Sequence, residues 1–245
     1  MEVKGSQSVL AESLIRAGQH WQARHQAELA AKGQAPDMTS PPTIALSREV
    51  GALGTTVARA VGERLGWPVY DHELLEKIAQ EMNLRVRLLE SVDERRMSWI
   101  EECIESFGLK PQLSENAYVR HLVQTLFSLA AHGECVIVGR GAPLILPLPT
   151  TLRVRLVAPL DFRLGVVMRE QGMSRDEALR YIHQKTRERV KFNKDHFQKD
   201  LTEPEHFDLL LNSSRFSTPE CADLILAALR NLEKQLSERR HRTSP

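Results

Sequence analysis

The chain has 245 residues, 42% of them apolar and 27% charged, with a formal net charge of +1. That length allows one sizeable core with an appendage, and a charge near zero gives no basic field to argue for nucleic acid. Cys103, Cys135 and Cys221 are too far apart for C-x-x-C chemistry, no run reaches membrane-spanning length and no signal peptide is found, so the expectation is a soluble cytoplasmic protein with reduced thiols and no membrane partner.

Residues 8–32 read as one helix, with Leu10, Leu14, Trp21 and Leu29 at near-helical spacing and Gly33 as its stop. QAPDMTSPP follows, a proline-rich linker. The first 41 residues therefore form a helical extension, which either fills a groove on its own chain or serves as a homodimer contact. From residue 42 the pattern alternates. TIALS is a short apolar strand, TTVARAVGERLG a helix ended by Gly66, WPVYD a strand and HELLEKIAQEM a helix. Leu84 to Gln112 is charged and helical in parts, and Tyr118 to His132 is a strongly amphipathic helix. CVIVG and LRVRLVA are buried strands; DFRLGVVMREQG is a helix, and a second helix opens at the capping box Ser174 to Glu177. FDLLLN is the last strand and STPECADLILAALRNLEKQL the last helix, with residues 236–245 as a basic, frayed tail. Five short apolar strands alternating with helices predict an α/β three-layer sandwich with a five-stranded parallel sheet over residues 42–235. Ligands of such sheets sit at the carboxyl ends of the strands.

The first of those ends carries SREVGALGTT. A strand, a glycine-containing turn and a helix start suit phosphate, because the first N–H groups of a helix have no internal partner and its dipole favours an anion. The common loop is G-x-x-x-x-G-K-S/T. Laid on the spacing of small-molecule kinases, this one keeps Gly51 and Thr56 but has Gly54 where the lysine would stand. By itself the loop is equally a plain strand–turn–helix.

The loop does not stand alone. S-R-E-x-G, the Tyr70-Asp71 pair ending the second strand, V-G-R-G at residues 138–141, a basic helical segment, and D-L-x-x-N before the last helix occur in the order found in the cytidylate kinase-like family, which the chain resembles from about Pro42 to Leu232. The resemblance implies a P-loop kinase fold and transfer of a phosphoryl group from ATP, with Mg2+, to a nucleoside monophosphate, CMP or dCMP first. A nucleotide-binding regulator without turnover, or a kinase for another small molecule, stands as the alternative. In this family the loop lysine is commonly missing, but an arginine often follows the last loop glycine, where this chain has Thr55; cytidylate kinases also carry an aspartate where Val138 stands.

Roles then attach to positions. The backbone of Gly51, Ala52, Leu53, Gly54, Thr55 and Thr56 would cradle the ATP phosphates, and the resemblance gives Thr56 the magnesium. Arg48 is the nearest replacement for the lysine charge, unless it is a surface arginine. Asp71 is an acceptor-pocket residue by resemblance and a helix N-cap by local pattern. Arg140, between Gly139 and Gly141 at a strand end, points at the cleft, where a planar fork suits an acceptor phosphate; Arg120 is its second by resemblance, or else lies on a solvated face. Residues 183–200 form a basic lid by resemblance, with Arg187 and Arg189 as catalytic cations, although residues two apart on a helix cannot share a face. A magnesium-side carboxylate would fall to Glu49 or Asp71. Asn212, Ser213 and Ser214 read as a turn and cap.

Overall fold

The computed structural model describes residues 2–30, 41–92, 94–106 and 114–243. Its sheet is built from β1 (Thr43–Arg48), β2 (Val69–Tyr70), β3 (Val136–Val138), β4 (Thr151–Val157) and β5 (Leu209–Asn212). The order is β2-β3-β1-β4-β5 and each neighbouring pair is parallel. β1 lies in the middle, with Ile44 opposite Val136 on one side and Leu152 on the other. Ile44, Ala45 and Leu46 are all buried, which is why this strand reads as an unbroken apolar run and not as an alternation. The expected three layers and parallel sheet are present.

One face of the sheet is covered by α2 (Gly54–Leu65) and α10 (Thr218–Thr243). Val57 and Val61 of α2 meet Cys221, Ile225 and Leu229 of α10 over Leu46, Val136 and Val154. The other face carries α3 (His72–Gln80), α4 (Met82–Glu90), α5 (Glu94–Ser106) and α6 (Ser114–His132), with α1 (Glu2–Ala30) outside them. The helix expected over 72–82 ends at Gln80, because Glu81 takes an extended conformation (ψ 112°) before α4 begins. α7 (Ala142–Ile145) is a single turn after β3, and α8 (Leu160–Gln171) pairs with α9 (Arg175–Phe197). The α9 capping box is formed: Ser174 accepts from the Glu177 N–H and the Glu177 carboxylate accepts in return. α10 runs on to Thr243, through most of the tail expected to fray; Leu236 within it is buried.

α1 starts at Glu2, earlier than the apolar spacing indicates. The expected Gly33 stop and most of the proline linker lie outside the described residues. The helix packs on its own chain. Ala17 and Trp21 are buried, and the Trp21 indole N–H donates to the Tyr70 hydroxyl at 2.9 Å. Val9 and Ile15 stay exposed. The helix also covers His132, at the end of α6, whose ring lies edge-on to His20 of α1 with centroids 6.1 Å apart. His132 Nε2 is 2.9 Å from the Ser91 hydroxyl, which itself donates to the Leu88 carbonyl. Burial, then the neighbouring His20, Arg24 and Arg96, push His132 from 6.5 to about 3; burial and Arg24 bring His20 to about 4.

Both rings are therefore neutral in the fold and protonated below pH 6.5 in the unfolded chain. A depressed histidine stabilises above its unfolded value and loses that contribution as the pH falls. Between pH 6.5 and 5, His132 alone should cost about 2 kcal/mol of stability. Urea unfolding of wild type and His132→Gln at pH 7 and pH 5 measures this: the variant should lose less on acidification, and equal pH slopes would refute the assignment.

Candidate active site

β1 delivers Arg48 to its carboxyl end, and the chain turns through residues 49–53 into α2. The turn rests on two left-handed residues, Gly51 at φ 83° and Leu53 at φ 54°. A Cβ on Gly51 would lie 2.6 Å from the carbonyl oxygen of Arg163, so glycine here meets both the dihedral and the close approach to α8. Glu49 fastens the loop from its other end. Its carboxylate accepts from the Ala158 N–H at 3.0 Å and pairs with Arg163 at 3.4 Å. Leu53, the N-cap of α2, offers no side-chain acceptor. The N–H groups of Gly54, Thr55 and Thr56 therefore open toward an anion, as the sequence pattern requires, and Thr56 is exposed in that first turn.

Arg48 is half-buried. Its stem lies across Gly54, where a Cβ would come within 2.4 Å of Cγ, and its guanidinium lies across Gly139, where a Cβ would come within 2.3 Å of Nη1. Two glycines thus clear a track from the phosphate loop to the end of β3. Burial is the main cause, and the charge of Arg189 the next, of a fall in the Arg48 pKa from 12.5 to about 9; Asp71 opposes the fall and Arg140 adds to it. Among the described residues no carboxylate or carbonyl accepts a hydrogen bond from this guanidinium. A half-buried cation with two other cations beside it calls for an anion.

Arg189 reaches the same place from α9. Its Nη1 donates to the Arg48 carbonyl at 3.0 Å, and burial pulls its pKa down. Arg187 is exposed on the outer face of α9, along a concavity of about 620 Å3 shared with Arg180, His183 and Lys191. The helix is continuous through residues 183–197, so the two arginines diverge as their spacing dictates, and Arg189 alone faces the loop.

Arg140 occupies a left-handed turn, with φ of 85°, 50° and 74° at Gly139, Arg140 and Gly141. Its guanidinium bonds Glu76 of α3, lies 3.0 Å from His72 Nδ1 and sits 5.4 Å from the Phe192 ring centre. The Tyr118 hydroxyl is 3.5 Å from the same Glu76 oxygen. Asp71 is the α3 N-cap, accepting from the Leu74 N–H at 3.2 Å, and pairs with Arg59 at 3.4 Å; it also borders a cavity of about 200 Å3 between α1 and α2. Arg120 is half-buried on α6, two residues and so about 200° round the helix from Tyr118. Asn212 accepts from the N–H and hydroxyl of Ser214 at 3.0 and 2.7 Å, the expected turn.

The structure thus gathers Arg48, Arg140 and Arg189, and adds Glu76, His72, Phe192 and Asn193, which sequence reasoning passed over. His72 and Glu76 have i,i+4 helical spacing, a visible signal, but their partner is 64 residues away.

A parallel sheet in this order, with an uncapped helix start at the end of its middle strand and arginines converging on that start, defines a P-loop kinase fold. The sequence model of the cytidylate kinase-like family matches residues 43–215, and the chain belongs to that family. A cytidylate kinase from Methanopyrus kandleri is 27% identical over 188 residues, 73% of this chain and 88% of that one. The solved structure of an uncharacterized protein from Eubacterium ventriosum superposes with a TM-score of 0.64 at 20% identity, over 78% of this chain and 99% of that one. A shikimate kinase from Acinetobacter baumannii, solved with shikimate, gives a TM-score of 0.41 at 18% identity, over 78% and 94%.

The Arg48 track yields a test in two helical glycines. Alanine at Gly165 meets nothing within 4 Å and should stabilise by up to about 1 kcal/mol through helix propensity. Alanine at Gly54 gains the same propensity but strikes the Arg48 stem, and should destabilise by roughly 1–3 kcal/mol. Denaturation midpoints that move together would show that Arg48 does not occupy the track.

Proposed function

We propose that the protein transfers the γ-phosphoryl group of ATP to a nucleoside monophosphate in the cytoplasm, with CMP or dCMP as first acceptor. The observation that carries this is the unneutralised Arg48 guanidinium between the phosphate loop and the end of β3, faced by Arg189 and Arg140. Phosphoryl transfer needs positioning and charge neutralisation more than covalent chemistry from the protein. The backbone from Gly51 to Thr56 would hold the donor phosphates through its N–H groups, and Arg48 would supply the cation that the loop lacks at Gly54. Arg189, anchored to the same strand end, would stabilise charge on the moving group, and Arg140 would take the acceptor phosphate. An acceptor phosphate oxygen attacks the γ-phosphorus, the bond from that phosphorus to the β,γ-bridging oxygen breaks, and ADP carries away the electron pair.

Magnesium arriving with ATP needs few protein oxygens, since it keeps most of its ligands from phosphate and water. The chain fits that demand. Thr56 presents its hydroxyl in the first turn of α2, and among the described residues no group of three or more acidic, histidine or cysteine side chains could hold a metal. Bound there, the ion would neutralise charge on the phosphate oxygens. Glu49 meets the Ala158 N–H and Arg163 through Oε2, and Asp71 takes a backbone N–H and Arg59 on its two oxygens; an ionised carboxylate keeps further acceptor sites, so either could add a ligand on the magnesium side. A second reading, a nucleotide-binding regulator with little turnover, is favoured by Gly54 in place of the loop lysine, Thr55 in place of the following arginine and Val138 in place of an aspartate. A homodimer through α1 would use exposed residues such as Val9 and Ile15 among the described ones, since Ala17 and Trp21 are committed to the chain's own core.

ADP release from ATP, magnesium and a panel of nucleoside monophosphates separates the readings. Arg48→Ala should lower kcat/KM by roughly three orders of magnitude or more, as removal of a charge-stabilising arginine does in phosphoryl transfer. Arg189→Ala should follow it, and Arg187→Ala should stay within about threefold of wild type, an exposed surface change. ATP binding without ADP release for every acceptor would leave the regulator; full activity in Arg48→Ala would remove Arg48 from the mechanism.

A further inference from the structure

α9 touches both loops of the site with one face. Arg189 donates to the Arg48 carbonyl at the end of β1. Four residues on, Asn193 faces the turn that holds Arg140: a Cβ on Gly141 would lie 2.9 Å from Asn193 Oδ1 and 2.4 Å from the Phe197 ring. Phe192, next to Asn193, covers the Arg140 guanidinium. Spacings of four keep residues 189, 193 and 197 on the same side of the helix.

Asn193 is 3% exposed. Its amide N–H donates to the Arg189 carbonyl at 2.7 Å, but among the described residues nothing donates to its buried Oδ1. Arg140 Nε is in the complementary state, a buried donor without an acceptor. Folded proteins seldom leave such groups unpaired, because each forfeits its hydration without compensation. An unused acceptor thus lies against the turn whose arginine carries an unused donor. Glu76 and His72 of α3 hold the guanidinium of Arg140 at Nη2.

We propose that Asn193 is the positioning residue for Arg140 in the acceptor complex. This deepens the phosphotransfer reading and rests on its assignment of Arg140 to the acceptor phosphate. A phosphate competes with the Glu76 carboxylate for the same guanidinium. As Arg140 leaves Glu76, its Nε–H turns onto Asn193 Oδ1, which pairs both unsatisfied atoms in one bond. The two terminal nitrogens then remain for bidentate contact with the phosphate. Because Asn193 sits one turn from Arg189, the arrangement also fixes the acceptor arginine to the helix that touches the donor loop.

A double-mutant cycle over Asn193→Ala and Arg140→Ala tests this, using the monophosphate that supports ADP release, CMP first. Its dissociation constant is read by calorimetry and KM by steady-state assay. Asn193→Ala should weaken the acceptor about tenfold, the worth of one hydrogen bond to a charged group, with KM for ATP within about twofold. In the Arg140→Ala background it should change nothing further, since the two act through one bond. Asn193→Asp, which keeps an oxygen at that position, should retain acceptor affinity within about threefold. An equal loss in both backgrounds, a parallel rise in KM for ATP, an equal loss in Asn193→Asp, or no loss in Asn193→Ala overturns the proposal. Wild type that binds CMP without releasing ADP defeats phosphotransfer, while the calorimetric cycle still decides Asn193. Wild type that binds no monophosphate overturns both.

Discussion

The site depends on one half-buried charge. Arg48 leaves the middle strand, lies over Gly54 and ends over Gly139, with Arg189 and Arg140 as neighbouring cations and only Asp71 opposing them. A guanidinium drawn to about 9 is held at a cost in free energy that a surface position would not impose. Much of the surrounding architecture serves to hold it there. The glycines at 54 and 139 leave room for it, Glu49 and Arg163 clamp the loop beneath it, and the Arg189 side chain caps the strand it leaves. If the loop binds phosphate as proposed, its cation would come from the strand before the loop and cross it, instead of rising from the helix after it.

The parts of the fold that were legible in the sequence are those set by local pattern. The strands TIALS, CVIVG and LRVRLVA announce themselves as apolar runs because a parallel sheet covered on both faces leaves no polar side. Ser174 and Glu177 mark the start of α9 because a capping box is completed within four residues. The divergence of Arg187 and Arg189 follows from helical spacing alone, although the unbroken course of α9 through the expected lid became visible only with the fold. Arg48 and Arg140 could be singled out because strand ends face the cleft in any such sheet.

What escaped depends on contacts between distant segments. Glu76 becomes a partner of Arg140 only when α3 packs beside the end of β3; its spacing from His72 is visible within α3, but the arginine it meets is not. Asn193 stands in a run of charged residues, KFNKDHF, whose composition conceals that its inward face is buried. The docking of α1 was open for the same reason. Its apolar stripe is narrow, and the hydrogen bond from Trp21 to Tyr70 that ties it to the body joins residues 49 apart. Asp71 had two compatible readings, and its local one, the N-cap of α3, is the contact formed.

α9 has a consequence for the order of events in the cleft. One rigid helix meets the end of β1 through Arg189 and the turn after β3 through Phe192, Asn193 and Phe197. Two ligands that bias the same element cannot bind independently. Whatever factor the first contributes to the affinity of the second must be returned in equal measure, since a coupling free energy is reciprocal. Donor and acceptor would then form a linked pair, with the sign and size of that linkage set by how each ligand biases a single helix.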